Sequence, residues 1–222
     1  MRQKLNYLFI AGHIVTLLYI FLLGWWSLVL LPVSLLLFAL GQGAFAHRIF
    51  THKAMDISPR AHWIGHFIFN MCGWGSALVF GSIHKMHHRY SGTENDPHEP
   101  RYQGKWNVFL GNYNLCTDKK FFKREYKKPH AAWFHKNYFK LAWLFIPIFG
   151  PLTAISFWLR YLLLVVVHDG EEDGDTARNK WWLWPLLLGD EMHYEHHRSA
   201  TRAKLHNLDM VYYSGCLLKL IP

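Results

Sequence analysis

The chain has 222 residues, 51% of them hydrophobic and 17% aromatic, with eleven Trp and a formal net charge of +9. That length suits one domain, and the apolar residues come in long blocks, which excludes a disordered chain and an ordinary soluble globule and marks a membrane protein. No DNA- or RNA-binding motif makes use of the positive charge, so nucleic acid is not the expected partner.

Residues 5–23 form an uncharged apolar stretch of about the length a bilayer crossing needs. It carries no signal-peptide cleavage pattern, and a second apolar stretch, 25–46, follows at once. Gly24-Trp25-Trp26 supplies a tight turn with indole rings where an interface favours them, so a helical hairpin is expected. No Lys or Arg lies between Lys4 and Arg48, and fourteen then fall from Arg48 to Lys136. This is the positive-inside signature of a cytoplasmic face.

Residues 47–132 are mixed and basic and are read as cytosolic. Within them 61–80 is apolar enough to resemble a crossing, but His62 and His66 make burial in lipid expensive. A crossing there would also put the histidines on its two sides on opposite faces of the membrane. An interfacial or capping helix is expected instead. A second hairpin follows, with crossings at 133–149 and 152–168 broken by Pro147, Gly150 and Pro151. Its first arm is short, so His135, Lys136 and Lys140 belong to it and snorkel towards the headgroups. Arg160 in the second arm must be paired or face the protein interior. Residues 169–222 return to the cytosol, which leaves both termini on that side. The expected fold is all-α, with four transmembrane helices in two hairpins and a cytosolic helical cap.

Eight histidines fall in three clusters at the ends of these segments: His47 and His52; His84, His87 and His88; His193, His196 and His197. Two crossings precede the first cluster and four precede the third, so all three share the basic side. At about 3.6 residues per turn, i, i+3 and i+4 lie on one helix face. The second and third clusters can thus each point one way. His47 and His52 are five apart, roughly 140° around an α-helix, so they straddle it and would reach different metals. Eight imidazoles exceed what one ion uses, so the count indicates two metals. Softness alone leaves zinc, copper, iron and nickel open. No His-Glu-x-x-His motif is present, and neither Cys nor Met is clustered as copper would favour. Oxygen-activating iron suits an apolar setting into which oxygen and an alkyl substrate both partition.

The segments His47-Arg-Ile-Phe-Thr-His-Lys53, His84-Lys-Met-His-His-Arg-Tyr-Ser-Gly-Thr-Glu-Asn-Asp-Pro-His98 and Gly189-Asp-Glu-Met-His-Tyr-Glu-His-His197 resemble the three histidine boxes of membrane fatty acid desaturases of the delta-9, stearoyl type. Thr176-Ala-Arg178-Asn179 and Phe157-Trp-Leu-Arg160-Tyr161 are similar to further family segments. The resemblance implies a cytosolic di-iron site held by the eight box histidines and one more after the fourth crossing, where His168 stands. It implies an oxygen-dependent enzyme that places a cis double bond in a saturated acyl chain. Electrons would come from a separate ferredoxin or small cytochrome.

Two departures bear on this. Leu164 occupies the place of a family Asn that helps hold a metal-bound water, and Ser82-Ile83 replaces the Arg-Asp pair of acyl-CoA enzymes. The second favours a lipid-linked acyl substrate over acyl-CoA. An acyl hydroxylase or ketolase on the same fold is the alternative enzyme, and a metal-transport protein the alternative of another class.

Asp96, His98, Glu191 and Glu195 are candidates to orient the ligand histidines. His62 and His66 are expected to line a helix face, His13 to make an interior polar contact, and His130, His135 and His206 to lie at the surface or interface. The basic and aromatic run 119–128 reads as a segment on anionic lipid, and the acidic run 171–175 as a solvated loop. Cys72, Cys116 and Cys216 match no zinc or redox spacing and are expected to be inert thiols.

Overall fold

The structure is a computed structural model that describes residues 2–111, 123–169 and 176–222. The acidic run 171–175, Cys116 and the first part of the basic run, 119–122, lie outside the described residues. Among those described the chain is mostly helical and has no strand, only one isolated antiparallel bridge between Asn179 and Met192.

The first apolar block forms α1 (Arg2–Leu23), a 3₁₀ segment (Gly24–Val29), α2 (Leu30–Phe38) and a π-helix (Ala39–Thr51). The second forms α8 (Pro129–Tyr161), which runs into a π-helical turn (Leu162–Val166). Together these are two helical stretches, Tyr7–Thr51 and Pro129–Val166, long and apolar enough to cross a membrane. Between them lie α3 (Pro59–Met71), α4 (Ala77–Tyr90) and the short α5 (Pro100–Gln103), α6 (Lys105–Leu110) and α7 (Lys123–Tyr126). After the second stretch come α9 (Trp184–Leu187), α10 (His193–Arg198) and α11 (Met210–Lys219).

Both apolar blocks fold back on themselves. Phe9 and Phe38 would be about 44 Å apart along one straight helix. Yet the Phe9 ring sits 4.9 Å from that of Phe157, while Phe38 lies 5.5 Å from Trp74, whose indole N–H donates to the Ser156 carbonyl at 3.0 Å. The reversal falls at Gly24, which has φ +55°, and occupies the whole 3₁₀ segment rather than the three residues expected. Trp25 and Trp26 stack there with ring centroids 4.0 Å apart. In α8 the break is at Phe149 (φ −106°, ψ 19°), just before Gly150-Pro151. Leu8 packs on Ala142 and Ile146 while its neighbour Phe9 meets Phe157, so the two arms of α8 lie side by side.

Residues 61–80 are two helices, not one. Gly73 and Gly75, with φ +74° and +96°, break the segment. Ser58 caps α3 by accepting from Ala61 N–H at 3.0 Å, with Pro59 in the first turn, and Ser76 caps α4 by accepting from Leu78 N–H at 3.2 Å. At 13 residues α3 is only about 20 Å long, and it buries one face against the π-helix and α8 while Trp63 stays 45% exposed on the other.

Phe38, Phe45, Phe69, Leu78 and Leu152 form the core between these elements. The outward face of the first hairpin is different. Leu17, Phe21, Leu22 and Leu28 are 65–84% exposed, an apolar surface without protein cover. Arg160 turns inward, 5% exposed, with its guanidinium 5.6 Å from the Trp74 ring. His13 accepts from the Trp158 indole at 3.0 Å, an exposed contact rather than the interior one expected, since Trp158 is 53% exposed.

Candidate metal centre

Three elements bring the three histidine clusters together: the π-helix and the residue after it, the C-terminal half of α4, and α10. Winding with i→i+5 backbone hydrogen bonds defines the first, as in His52 N–H to the His47 carbonyl at 3.2 Å, and the Thr51 hydroxyl adds a side-chain bond to the Ala46 carbonyl at 2.6 Å. This corrects the expectation that His47 and His52 straddle a helix. In π winding the fifth residue closes the turn, so the two rings face the same space with centroids 5.3 Å apart.

Nine histidines share one pocket. The Nε2 atoms of His47, His196, His88 and His84 follow one another at 2.8, 3.0 and 3.1 Å. Those of His197, His87, His168 and His193 do so at 3.0, 3.1 and 3.1 Å. Ligand atoms of His47, His52, His84 and His196 all lie within 4.8 Å of one another, and so do those of His87, His168, His193 and His197. His88 stands between the groups, its ring 4.7 Å from His52 and 4.5 Å from His197.

Hydrogen bonding between the rings does not account for this packing. An imidazole Nε2 has one in-plane lobe, used either to donate or to accept. In each chain the two middle nitrogens face two others at once, which one lobe cannot satisfy. A cation at the centre of each group would use every lobe. The donor set therefore fits two metal ions bound by neutral imidazoles.

Burial favours that neutral form. It pushes His84, His193 and His196 well below the usual histidine range, with neighbouring histidines adding to the shift. His52 is lowered to about 2 by burial first and then by His47. Phe80 stacks on His84 at 5.6 Å and helps keep water out.

Carboxylates hold the rings from behind. Asp96, one of the expected orienting residues, sits with both oxygens 2.9 Å from His87 Nδ1 and accepts from His98 N–H at 2.7 Å. A proton on that Nδ1 leaves Nε2 bare for a metal. His98 is buried beside it, its ring 5.2 Å from that of His87. Glu191 instead pairs with His206 at 2.9 Å and accepts from Gly189 N–H at 2.7 Å. Glu195 is half-buried on α10, and its backbone N–H, like that of Tyr194, donates to Asn179 Oδ1. Asn179 thus ties down the start of α10.

Three residues were not singled out from the sequence. Asp190 Oδ1 lies 3.5 Å from His47 Nδ1 and 3.0 Å from Arg48 Nη2. Burial alone would raise its carboxyl, but His47 and Arg48 outweigh that and hold it below the usual carboxylate range. Arg48, fully buried, also donates to Asp209 at 2.6 Å and to the Ala203 carbonyl at 2.7 Å. Gln42 is the third. It lines a cavity of about 20 Å³ between the two groups, with His47 and His84 on one side and His168 and His193 on the other. Its Oε1 is buried with no hydrogen-bond partner, and Leu164 forms part of the same wall. A space of this size holds about one water-sized molecule. The legible signal was Gln42, His47 and His52 at a spacing of five inside an apolar run.

No protein-family model matches the chain. It is 24% identical over 195 aligned positions to the delta-9 desaturase-like 2 protein of Arabidopsis thaliana, covering 75% of this chain and 65% of that protein. It is 25% identical over 236 positions to the sn-1 stearoyl-lipid 9-desaturase of Anabaena variabilis (92% and 84%), and 24% identical over 205 to delta-9 acyl-lipid desaturase 1 of Arabidopsis thaliana (78% and 66%). These relatives support the fatty acid desaturase family. The match spans 62–67% of the length of three Arabidopsis delta-9 desaturase-like proteins.

Proposed function

We propose that the chain is an integral-membrane, oxygen-dependent fatty acyl desaturase with a pair of irons held by His47, His52, His84, His87, His88, His168, His193, His196 and His197. The observation that carries this reading is the arrangement of two groups of four imidazoles with His88 between them. When bound, the iron pair would supply oxygen activation for removing two hydrogens from an unactivated acyl chain.

The protein's own residues would do the rest. Asp96 fixes the orientation and tautomer of His87, while Asp190 places a negative charge 3.5 Å behind His47. Gln42 Oε1 offers an acceptor to whatever occupies the small cavity, where Leu164 offers none. Exposed apolar faces of the two hairpins would meet lipid as four crossings, with the centre on the basic, cytoplasmic side. The relatives named stearoyl-lipid and acyl-lipid desaturases support a lipid-linked acyl substrate of delta-9 type, as does Ser82-Ile83 in place of Arg-Asp. Electrons would come from a separate ferredoxin or small cytochrome.

Expression in a host that makes no unsaturated fatty acids, followed by lipid mass spectrometry, tests the reading. The expected product is lighter than its parent acyl group by two hydrogens and disappears with His87→Ala. A product heavier by one oxygen would identify a hydroxylase instead. No product, together with purified protein that holds no iron, would overturn the proposal.

A further inference from the structure

Outside the paired centre, the structure assembles a second kind of histidine cluster. His62 and His66 are one turn apart on α3, and His130 is the second residue of α8. His66 and His130 are 64 positions apart in the chain, yet the three rings meet. Ring centroids are 5.1 Å apart for His62 and His66, 4.7 Å for His62 and His130, and 5.7 Å for His66 and His130. His130 Nε2 lies 2.8 Å from His62 Nδ1, and one ligand atom from each of the three falls within 4.8 Å of the others.

Two observations distinguish this from a packed helix face. The Nε2 atom of His66 is buried without a hydrogen-bond partner, and a buried polar atom left so asks for a ligand; His62 turns its Nδ1, not its Nε2, towards His130. Aromatic rings also pack around the cluster. Phe134 stacks on His66 at 5.2 Å, and Phe45 and Phe50 lie within 5.6 Å of both α3 histidines. Those two phenylalanines sit on the π-helix that carries His47, and they separate this cluster from the paired centre. His130 is partly exposed and forms the mouth.

Charge at the mouth is mixed. Lys53 and Lys128 would oppose a cation, but each is bound to Glu125 at 2.9 Å and is more than 40% exposed, so solvent screens it. Lys128 and Lys53 still act on His62 more strongly than Glu125 does, so the three imidazoles rather than the carboxylate must carry the binding of a cation.

The geometry points to a third metal site, in which His62, His66 and His130 bind one divalent transition ion and leave a position open. Three imidazoles with an open fourth place form a zinc-type donor set, in which metal–nitrogen distances of about 2.0–2.1 Å set the spacing. Copper(II) and nickel(II) accept the same donors. The site stands whether or not the paired centre holds iron.

The test uses the full-length, iron-loaded protein in detergent, titrated with Zn²⁺ and read by elemental analysis and zinc-edge X-ray absorption. The wild type should take up one zinc with imidazole ligation while its iron content stays constant. His130→Ala should lose that zinc and keep its iron, and because the ring lies at the mouth this variant is the one best able to fold. His62→Ala should behave alike, with circular dichroism confirming its helix content. Zinc uptake undiminished in His130→Ala, no uptake by the wild type, or uptake only as iron leaves would each overturn the proposal. Absence of iron with zinc still bound and lost in His130→Ala would count against the desaturase reading alone.

Discussion

A buried histidine is useful here because it is kept from charging. Burial lowers His52 to about 2 and His62 and His98 to about 3, with nearby histidines adding to the shift and Glu125 and Asp96 opposing it at His62 and His98. An unfolded histidine titrates near 6.5, so between about 3 and 6.5 the unfolded chain binds protons that the folded one refuses. Stability then rises with pH across that window. The metal-free protein should hold its full thermal midpoint above pH 6.5 and lose it progressively towards pH 3, by an amount that reflects uptake of at least three protons. Thermal melts in detergent after chelation check this, and a flat profile would contradict the burial of these rings. Gln42 gives a second prediction at the same scale. An unsatisfied buried amide costs about 1–3 kcal/mol, so Gln42→Leu should raise the melting midpoint of the metal-free chain. If Gln42 contacts the occupant of the cavity, turnover falls on the order of fivefold, as loss of a hydrogen bond of about 1 kcal/mol requires. A variant less stable than the wild type would mean the amide has a partner.

Elements set the spacing of the centre. The π-helix converts a five-residue interval into a single face, and α3 packs against it so closely that Gly65 cannot carry a side chain. A Cβ there would enter the Phe45 ring. Alanine would add about 1 kcal/mol of helix propensity, but overpacking against a ring on a second rigid helix costs about 1–3 kcal/mol, and here three ring atoms overlap. Gly65→Ala should therefore unfold at lower denaturant concentration than the wild type. Full retention of stability would show that the π-helix can shift away from α3.

At the scale of the whole molecule, Arg48 joins the first apolar block to the last segment of the chain. It binds Asp190 beside the third box and Asp209, the residue that caps α11 by accepting from Tyr212 N–H at 2.9 Å. Removing one partner of such a buried network strands two carboxylates at a cost of about 3–5 kcal/mol. Arg48→Ala should lower stability by that much, measured in detergent by chemical denaturation, and reduce metal content through His47. A loss under 1 kcal/mol would show that water reaches Asp190 and Asp209.

The sequence by itself determined the apolar blocks, their turns and the i, i+3, i+4 clusters on α4 and α10, because hydropathy and helical period are local properties. It also marked Asp96, which follows the second histidine cluster, as a partner for one of the clustered histidines, and it meets His87. Tertiary structure decided the rest. The π winding that unites His47 with His52 depends on packing against α3, so an α-helical reading of the interval placed them apart. Arg48 meets Asp209 across 161 residues, and His62 and His66 meet His130 across more than sixty. No periodicity reports such encounters. They arise from the way two hairpins and a cap close around one core, which alone decides whether isolated histidines on a helix face remain single or meet a third.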